Sequence, residues 1–243
     1  MKAVLTGHTR GLGAAIANVL RERGIPVLAL SRGSVEAPDG GAPMRQVALD
    51  LADSAALERW LRGAALRTFL DGCDEALLIN NAGMLGPVVP LGANVGADIA
   101  RAVALNVAAP LMLADAFVAA SAGATQRRIA HISSGAGRSP YAGWGVYCAS
   151  KAALDHHARA AQLDAPAGTR IVSLAPGVID TAMQAEIRAT PAGHFPLKAR
   201  FEDLKRDGLL TPPEDGARRL VAFMLSERFG SDPIADLRDV ADE

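Results

Sequence analysis

Short apolar runs alternate with segments of helical periodicity along most of the chain, and this alternation is the feature that most restricts its fold. Consecutive apolar positions are typical of strands buried on both faces, and regular alternation with helices predicts a parallel sheet covered on both sides. The runs are 3–5, 27–30, 47–49, 76–79, 129–132 and 171–174, and the helical segments are 14–23, 54–70, 97–120 and 146–163. We therefore predict an α/β fold with a doubly wound parallel sheet of about seven strands.

The 243 residues are expected to form one domain. A domain commonly has about 100–200 residues, and a single α/β domain can exceed that. The segment 182–212 breaks the alternation, so we predict a helical insertion there that covers a site. Asp53 or Ser54 is a predicted N-cap for the second helix.

Composition argues against several classes of protein. The formal net charge is −1, from 25 basic and 26 acidic residues, which gives no reason to expect a nucleic-acid or anionic-lipid partner. Cys73 and Cys148 form neither a disulfide framework nor a zinc pattern, so we expect no metal site and a reducing, cytoplasmic location. We expect no apolar stretch that approaches the ~20 residues needed to span a bilayer. The chain also opens directly into a strand-like run, so we expect no targeting segment.

The first predicted strand is followed by the glycine-rich turn Thr6-Gly7-His8-Thr9-Arg10-Gly11-Leu12-Gly13. Such glycines let the backbone turn tightly and approach a pyrophosphate, which the N-terminus of the next helix attracts. The spacing departs from the GxGxxG dinucleotide fingerprint, because Ile16 stands at the third glycine position. Both a dinucleotide site in a Rossmann-type fold and an ordinary glycine-rich turn therefore remain open.

The end of the second predicted strand bears on the choice of cofactor. An acidic residue there favours NAD, whereas an arginine accommodates the 2′-phosphate of NADP. The strand ends Leu30-Ser31-Arg32, and Arg10 in the glycine turn could reach the same phosphate. We predict NADP(H), with solvated surface arginines as the alternative. Asp50-Leu51 and Asn81-Ala82-Gly83 follow later strands and are predicted at the same carboxyl edge of the sheet.

Ser134, Tyr147 and Lys151 form the constellation with the clearest chemistry. Tyr and Lys four apart on a helix share one face. An ammonium about 4 Å from a phenol contributes ~4 kcal/mol at an effective dielectric near 20, enough to bring the phenol pKa from ~10 towards 7. Such a tyrosine can exchange a proton with a carbonyl oxygen, and Ser134 could hydrogen-bond that oxygen. A surface contact is the alternative, but the chain has only four lysines.

From Thr6 to about Thr181, these motifs resemble the short-chain dehydrogenase/reductase family. The resemblance implies that Tyr147 is the general acid/base, that Lys151 lowers its pKa and holds the nicotinamide ribose, and that Ser134 orients the carbonyl. Asn106 would position a water in a proton relay. Cofactor contacts are implied for Gly7, Thr9, Arg10, Gly11, Leu12, Gly13, Ser31, Arg32, Asp50, Leu51, Asn81, Ala82, Gly83, Tyr147, Lys151, Pro176, Gly177, Ile179 and Thr181.

The second half resembles the family's subgroup of sepiapterin reductases and bacterial benzil (diketone) reductases. The segments that show this resemblance are Tyr147-Cys148-Ala149, 180–184, 204–210 and 234–237. This implies substrate contacts for Met183 and Asp236, beside Ser134 and Tyr147. The chain lacks the glycine-rich C-terminal strand of tetrameric members, so we expect a homodimer. Four aromatic residues are either pocket or core residues: Trp60, Trp144, Phe195 and Phe201.

The function predicted from these residues is an NADPH-dependent carbonyl reductase that acts on a small ketone or dicarbonyl. Two alternatives stay open at this point. One is another family activity, such as 3-oxoacyl reduction or alcohol oxidation. The other is a non-catalytic NADP(H)-binding sensor, which would have no reason to retain Ser134, Tyr147, Lys151 and Asn106 together.

Overall fold

The apolar runs form the strands of a single parallel sheet in the computed structural model, which describes residues 1–36 and 38–240. Within those ranges the sheet has seven strands in the order β3-β2-β1-β4-β5-β6-β7, and every neighbouring pair is parallel. The strands are β1 (Lys2–Thr6), β2 (Val27–Ser31), β3 (Met44–Ala48), β4 (Glu75–Asn80), β5 (Gln126–Ile132), β6 (Thr169–Ala175) and β7 (Ile234–Asp236). The predicted single-domain, doubly wound α/β fold is confirmed.

Helices cover both faces of the sheet and bury its apolar side chains in two cores. They are α1 (Gly11–Glu22), α2 (Ser54–Arg62), α3 (Ala65–Leu70), α4 (Gly96–Val103), α5 (Ala109–Ala120), α6 (Gly145–Asp164), α7 (Ala182–Ala189), α8 (Lys198–Arg206) and α9 (Pro213–Leu225). Ile16 of α1 and Leu220 of α9 lie in one core. Leu57 of α2 and Phe117 of α5 lie in the other. This two-sided burial explains why the strands are apolar at consecutive positions.

Two predicted helices differ from the observed ones in their continuity. The segment 54–70 is divided at Gly63, whose extended backbone ends α2 before α3 begins. The predicted N-cap is confirmed at Asp53, whose Oδ1 accepts a hydrogen bond from Ala56 N at 2.9 Å. The segment 97–120 contains a π-helical turn, Ala104–Ala108, between α4 and α5. Such turns are rare and are often found at functional sites.

The continuous helical stretch Gly96–Ala120 corrects the expectation about apolar length. Its 25 residues include a window of mean hydropathy 1.8, which is long and apolar enough to cross a membrane by length and composition. A core helix passes the same test for another reason, since its apolar face covers a sheet. Leu113 and Phe117 are buried in this way, and 39% of the window is buried in all.

The sheet order places β1 between β2 and β4, where the chain reverses its direction of winding. Open α/β sheets bind ligands in the crevice outside the carboxyl ends of the strands at such a point. The glycine-rich turn lies there, and Gly13 at its end packs closely against Gly7 near its start. A Cβ at Gly13 would be 2.0 Å from the Gly7 carbonyl oxygen. The crevice therefore depends on a backbone contact that only glycine permits.

Replacing Gly13 with alanine tests this contact. Because the added methyl group must displace backbone, we expect Gly13→Ala to lower the free energy of unfolding by about 1–3 kcal/mol in urea denaturation. Gly96→Ala is the matched control, since a Cβ at this helix N-terminus meets nothing within 4 Å. It should change stability by less than about 0.5 kcal/mol. Equal stability of the two variants would contradict the packing argument.

Candidate active site

A cavity of about 680 Å³ runs along the carboxyl edge of the sheet. It extends from the glycine turn past the ends of the strands to α6, α7 and α8. Most of the residues predicted for the site line it: Gly7, Thr9, Arg10, Gly11, Leu12, Gly13, Ser31, Arg32, Asp50, Leu51, Asn81, Ala82, Gly83, Ser134, Tyr147, Lys151, Pro176, Gly177, Ile179, Thr181 and Met183. Asn106 and Asp236 are not among the residues that line it.

Thr6 and Asn81 hold the glycine turn against the end of β4. Thr6 Oγ1 accepts hydrogen bonds from the backbone N–H groups of Asn81 and Ala82, both at 2.9 Å. Asn81 Nδ2 donates to the carbonyl oxygens of Thr6 at 3.0 Å and Gly7 at 3.2 Å. This side chain is thus occupied with the turn itself. The sequence analysis did not identify Thr6 as part of the site.

The glycine turn fits a dinucleotide pyrophosphate. Gly7 and Gly11 have φ of 74° and 54°, a backbone conformation that side chains disfavour. A Cβ at Gly11 would lie 3.2 Å from Thr181 Cγ2, so the turn faces the segment after β6 across a narrow gap. Backbone N–H groups at the N-terminus of α1 provide the anion-binding end of the helix dipole. These residues could hold the phosphates of a nicotinamide dinucleotide.

The ends of β2 and β3 form the far end of the cavity. Arg32 is exposed, and Ser31 Oγ donates a hydrogen bond to the Gly33 carbonyl oxygen at 2.7 Å. Burial alone would raise the pKa of Asp50, but a hydrogen bond from Ala52 N and the nearby Arg101 hold it below its usual range. Arg101 Nη2 lies 3.1 Å from Asp50 Oδ2. Arg101 also lines the cavity and was not predicted.

Ser134 and Tyr147 lie together at the middle of the cavity. Ser134 follows β5 and caps a short 3₁₀ turn, with its Oγ accepting from Ala136 N at 3.2 Å. Ser134 is also a polar neighbour of Tyr147, whose pKa it lowers, and Tyr147 is only 7% exposed. Trp144 packs edge-on against the tyrosine ring, with their centroids 5.5 Å apart. The start of α6 therefore directs a shielded phenol towards the serine hydroxyl.

Lys151 and Asn106 are the two other predicted catalytic residues, and both lie close to Gly83. Lys151 is 5% exposed, and its Nζ donates to the Ile132 carbonyl oxygen at 2.7 Å. Asn106 lies in the π-helical turn, where its amide bonds the backbone N–H and C=O of Met84 at 2.9 and 2.8 Å. A Cβ at Gly83 would be 3.4 Å from Asn106 Oδ1 and 3.7 Å from Lys151 Nζ. The two side chains thus flank Gly83, and the water-positioning role of Asn106 stays a prediction.

Three comparisons with known proteins agree with this geometry. A family model described as short chain dehydrogenase matches residues 1–192. The chain belongs to the short-chain dehydrogenase/reductase family. Its parallel sheet, glycine turn, Tyr147 and Lys151 are the features that the sequence resemblance rested on, and that resemblance is confirmed.

Relatives of this dehydrogenase/reductase cover nearly its full length. It is 33% identical to a benzil reductase ((S)-benzoin forming) of Bacillus cereus, covering 93% of this chain and 94% of the relative. It is 32% identical to the sepiapterin reductase of Meriones unguiculatus, covering 97% and 95%. A solved short-chain dehydrogenase/reductase structure from Burkholderia vietnamiensis is 46% identical, with a TM-score of 0.69 over 98% and 99% of the two chains.

The direction expected for the Tyr147 pKa is wrong in this structure. Burial raises the pKa of Tyr147 to about 12, although the hydrogen bond with Ser134 lowers it in part. Burial also lowers the pKa of Lys151 to about 8, with Asp155 opposing that change. The expected lowering required the Coulomb attraction of Lys151 to outweigh the loss of hydration of the Tyr147 phenol, and burial is the larger effect here. Loss of hydration acts on both groups and favours their neutral forms.

Asp155 is a buried carboxylate that the sequence analysis overlooked. It is 3% exposed, and its Oδ1 accepts hydrogen bonds from Ser133 Oγ at 2.7 Å and Ser173 Oγ at 2.6 Å. Its Oδ2 accepts from Arg138 Nε at 3.1 Å. Its spacing four residues after Lys151 on the same helix was the available signal. Asp155 thereby joins α6 to the ends of β5 and β6 beside the reactive residues.

Asp236 occupies a different position from the one its predicted role suggests. Its side chain is 7% exposed, and both of its oxygens are bound by Arg238, at 2.9 and 2.6 Å. Burial would raise the pKa of Asp236, but Arg238 and Arg138 keep it below its usual range. Arg238, rather than Asp236, lines the cavity. A direct substrate contact for Asp236 stays a prediction.

Aromatic side chains close the other end of the cavity. Trp144 stacks on Phe195 with centroids 4.6 Å apart, and Phe201 of α8 packs against both rings. Trp144 and Phe201 line the cavity, together with Met183 and Leu204, whereas Phe195 is fully buried. The segment 182–212 thus contributes α7 and α8 to the cavity wall. In the described part of the chain, no cluster of three or more metal-ligating side chains is present.

The raised pKa of Tyr147 can be measured directly because the chain has two tyrosines. We expect the ultraviolet phenolate titration of the protein, minus that of Tyr147→Phe, to show no ionisation up to pH 10.0, the ordinary pKa of the group. Tyr141→Phe is the matched control, and circular dichroism reports that the fold persists. An ionisation step of Tyr147 at a pH of about 7, as the Coulomb argument gives, would contradict dominance by burial.

Proposed function

We propose that this chain is an NADPH-dependent carbonyl reductase that acts on a small ketone or dicarbonyl, with Tyr147 as the general acid. The observation that carries this proposal is the placement of a buried phenol, with Ser134 as a polar neighbour, in the same cavity as a glycine turn that fits a dinucleotide. The family membership supplies the reaction class, which is the transfer of a hydride to or from carbon.

The residues of this chain would each support one part of carbonyl reduction. NADPH, when bound, supplies the hydride that the carbonyl carbon accepts. The hydroxyl groups of Ser134 and Tyr147 would hydrogen-bond the carbonyl oxygen and orient it. Tyr147 would then donate its proton to the developing alkoxide, a stronger base than phenolate. Lys151, held at Ile132 O, would offer a positive charge near the phenolate that remains.

The relatives and the cavity wall support the substrate class. The two similar reductases are named for benzil and sepiapterin, which supports a dicarbonyl or related ketone as the substrate. Trp144, Phe201 and Leu204 give the substrate end of the cavity an aromatic and apolar wall. Such a wall favours a small substrate with apolar surface around its reacting carbonyl.

Charge at the cavity supports NADP(H) rather than NAD(H). Arg10 and Arg32 both line the end of the cavity where the 2′-phosphate of NADP would be recognised. Asp50 is at the same end, but Arg101 already pairs with it. Arginine–phosphate hydrogen bonds are among the stronger polar contacts, so two arginines would produce a clear preference.

We propose a homodimer in the cytoplasm as the working state of the enzyme. The apolar helix Gly96–Ala120 supports dimerisation, because much of its most apolar window is not covered by this chain. Val103 on that helix is 43% exposed. Cys73 and Cys148 are both unpaired, which is compatible with a reducing compartment.

Replacing Tyr147 with phenylalanine separates an enzyme from a cofactor-binding sensor. Because the variant loses only the proton donor, we expect NADPH-dependent reduction of benzil to fall by about 100-fold or more. NADPH binding, followed by quenching of tryptophan fluorescence, should be retained. Full activity of Tyr147→Phe would contradict the proposed mechanism. No activity in the unmodified protein, with benzil or sepiapterin, would favour the sensor.

Replacing Arg32 with aspartate tests the proposed cofactor preference. A carboxylate there would repel the 2′-phosphate and accept hydrogen bonds from a free ribose hydroxyl. We expect the ratio of kcat/KM for NADPH over NADH to fall by about tenfold or more. Arg228→Met, at an exposed arginine away from the cavity, should leave the ratio unchanged. An unaltered ratio in Arg32→Asp would show that Arg32 is only a surface residue.

A further inference from the structure

The cavity concentrates positive charge in a chain whose formal net charge is −1. Among the described residues that line it, six are basic and two are acidic: Arg10, Arg32, Arg101, Lys151, Arg200 and Arg238 against Asp50 and Glu186. Arg10, Arg32 and Arg101 lie at the cofactor end. Arg200 of α8, Arg238 after β7 and Glu186 of α7 line the rest of the cavity. The proposed phosphate contacts use Arg10 and Arg32, which leaves Arg200 and Arg238 without an assigned ligand group.

Arg238 is held rigidly at the edge of the cavity. Its Nε and Nη2 donate to Asp236 at 2.9 and 2.6 Å, and its backbone N donates to Asp236 Oδ1 at 3.0 Å. Its stem lies beside Gly177, where a Cβ would be 3.6 Å from Arg238 Cγ. The Arg238 side chain is 59% exposed, whereas that of Asp236 is 7% exposed. Within the described chain, Arg238 Nη1 has no hydrogen-bond partner.

A buried ionic network fixes this arrangement from behind. Arg138 Nη1 lies 3.8 Å from Asp236 Oδ2, and Arg138 Nη2 donates to the Ala235 carbonyl oxygen at 3.2 Å. Arg138 also pairs with Asp155, which faces Lys151. Arg138 thus joins the carboxylates of Asp155 and Asp236, and Asp236 in turn holds Arg238. This arrangement leaves Arg238 Nη1 available to an anionic ligand.

Aromatic side chains line the cavity together with Arg238 and the reactive tyrosine. Tyr141 is one of them, and its ring is 5.1 Å from that of Trp144. Trp144 in turn contacts Tyr147 at 5.5 Å between ring centroids. A ligand that reached from the phenol to the guanidinium would therefore pass an aromatic wall. Its reacting carbonyl and its anionic group would lie at opposite ends of an apolar body.

We propose that Arg238 binds a carboxylate of the substrate, so that the preferred ketones are oxo acids with an apolar or aromatic body. A guanidinium matches a carboxylate in shape and charge better than any other side chain. Asp236 and Arg138 then act as positioning residues for Arg238. This inference rests on the proposed carbonyl reductase function, because it names the substrate class of the same cavity.

The test compares 4-acetylbenzoate with its methyl ester, which share one ketone and differ in one charge at the far end of an aromatic ring. With NADPH, the unmodified enzyme should show a kcat/KM for the acid at least about tenfold above that for the ester. In Arg238→Met the value for the acid should fall by about tenfold or more, mainly through KM. The value for the ester should change by less than about threefold, which also shows that the variant is folded.

Two further variants complete the comparison. Arg238→Lys keeps the charge but loses the planar donor pair, so its ratio of acid to ester should lie between those of the enzyme and Arg238→Met. Arg228→Met, an exposed arginine outside the cavity, should keep the original ratio. A wild-type enzyme that prefers the ester, or equal losses for acid and ester in Arg238→Met, would overturn the proposal.

Benzil separates this inference from the proposed function. If benzil and the ester are reduced but the ratio of acid to ester does not depend on Arg238, only the role of Arg238 is wrong. If the enzyme reduces none of the three ketones with NADPH, the reductase proposal fails and the substrate class fails with it. Binding of 4-acetylbenzoate that depends on Arg238 would support the proposal.

Discussion

The burial of Tyr147 beside Lys151 is the constraint on which the account of this site depends. Both groups lose hydration in the wall of the cavity, and that loss raises the phenol pKa to about 12 and lowers the ammonium pKa to about 8. The phenol is consequently a proton donor over the physiological pH range. Ser134, Ile132 O and Asp155 supply the polar partners that make this burial tolerable.

The fold could be predicted from the sequence because its main signals are local. Consecutive apolar positions marked the strands, and Asp53 marked the start of α2. The break at Gly63 was missed because the apolar periodicity continues across 54–70. The apolar character of Gly96–Ala120 was not predicted: Asp98, Arg101 and Asp115 interrupt every continuous apolar run, although the mean hydropathy of the stretch is high.

The positions of the reactive residues could be predicted from the sequence, whereas their pKa values and long-range contacts could not. The glycine turn, Tyr147 and Lys151 are fixed by short spacings within one turn or one helix. The pKa of Tyr147 depends on how many atoms surround the phenol, which no spacing reports. Likewise, Arg138 bonds Ala235, 97 positions away, and only the folded sheet brings the ends of β5, β6 and β7 together. The short strand β7 gave little signal of its own.

One chain of contacts joins the reaction centre to substrate recognition. Ser133 next to Ser134, Asp155 one helical turn after Lys151, Arg138, Asp236 and Arg238 form a continuous polar path beside the cavity. Burial makes this path sensitive to any missing partner, because an unpaired buried charge is costly. The same residues that support the phenol therefore also orient the guanidinium that faces the substrate end.

The central claim is that this cavity delivers hydride to a ketone and a proton from Tyr147 to its oxygen. The most direct measurement is mass spectrometry of the alcohol formed from benzil with NADPH deuterated at the nicotinamide C4 position. With both C4 hydrogens replaced by deuterium, the account predicts deuterium on the new carbinol carbon, and at least about 100-fold less of this product with Tyr147→Phe over the same time. An alcohol without deuterium at that carbon, or equal product from the variant, would contradict it.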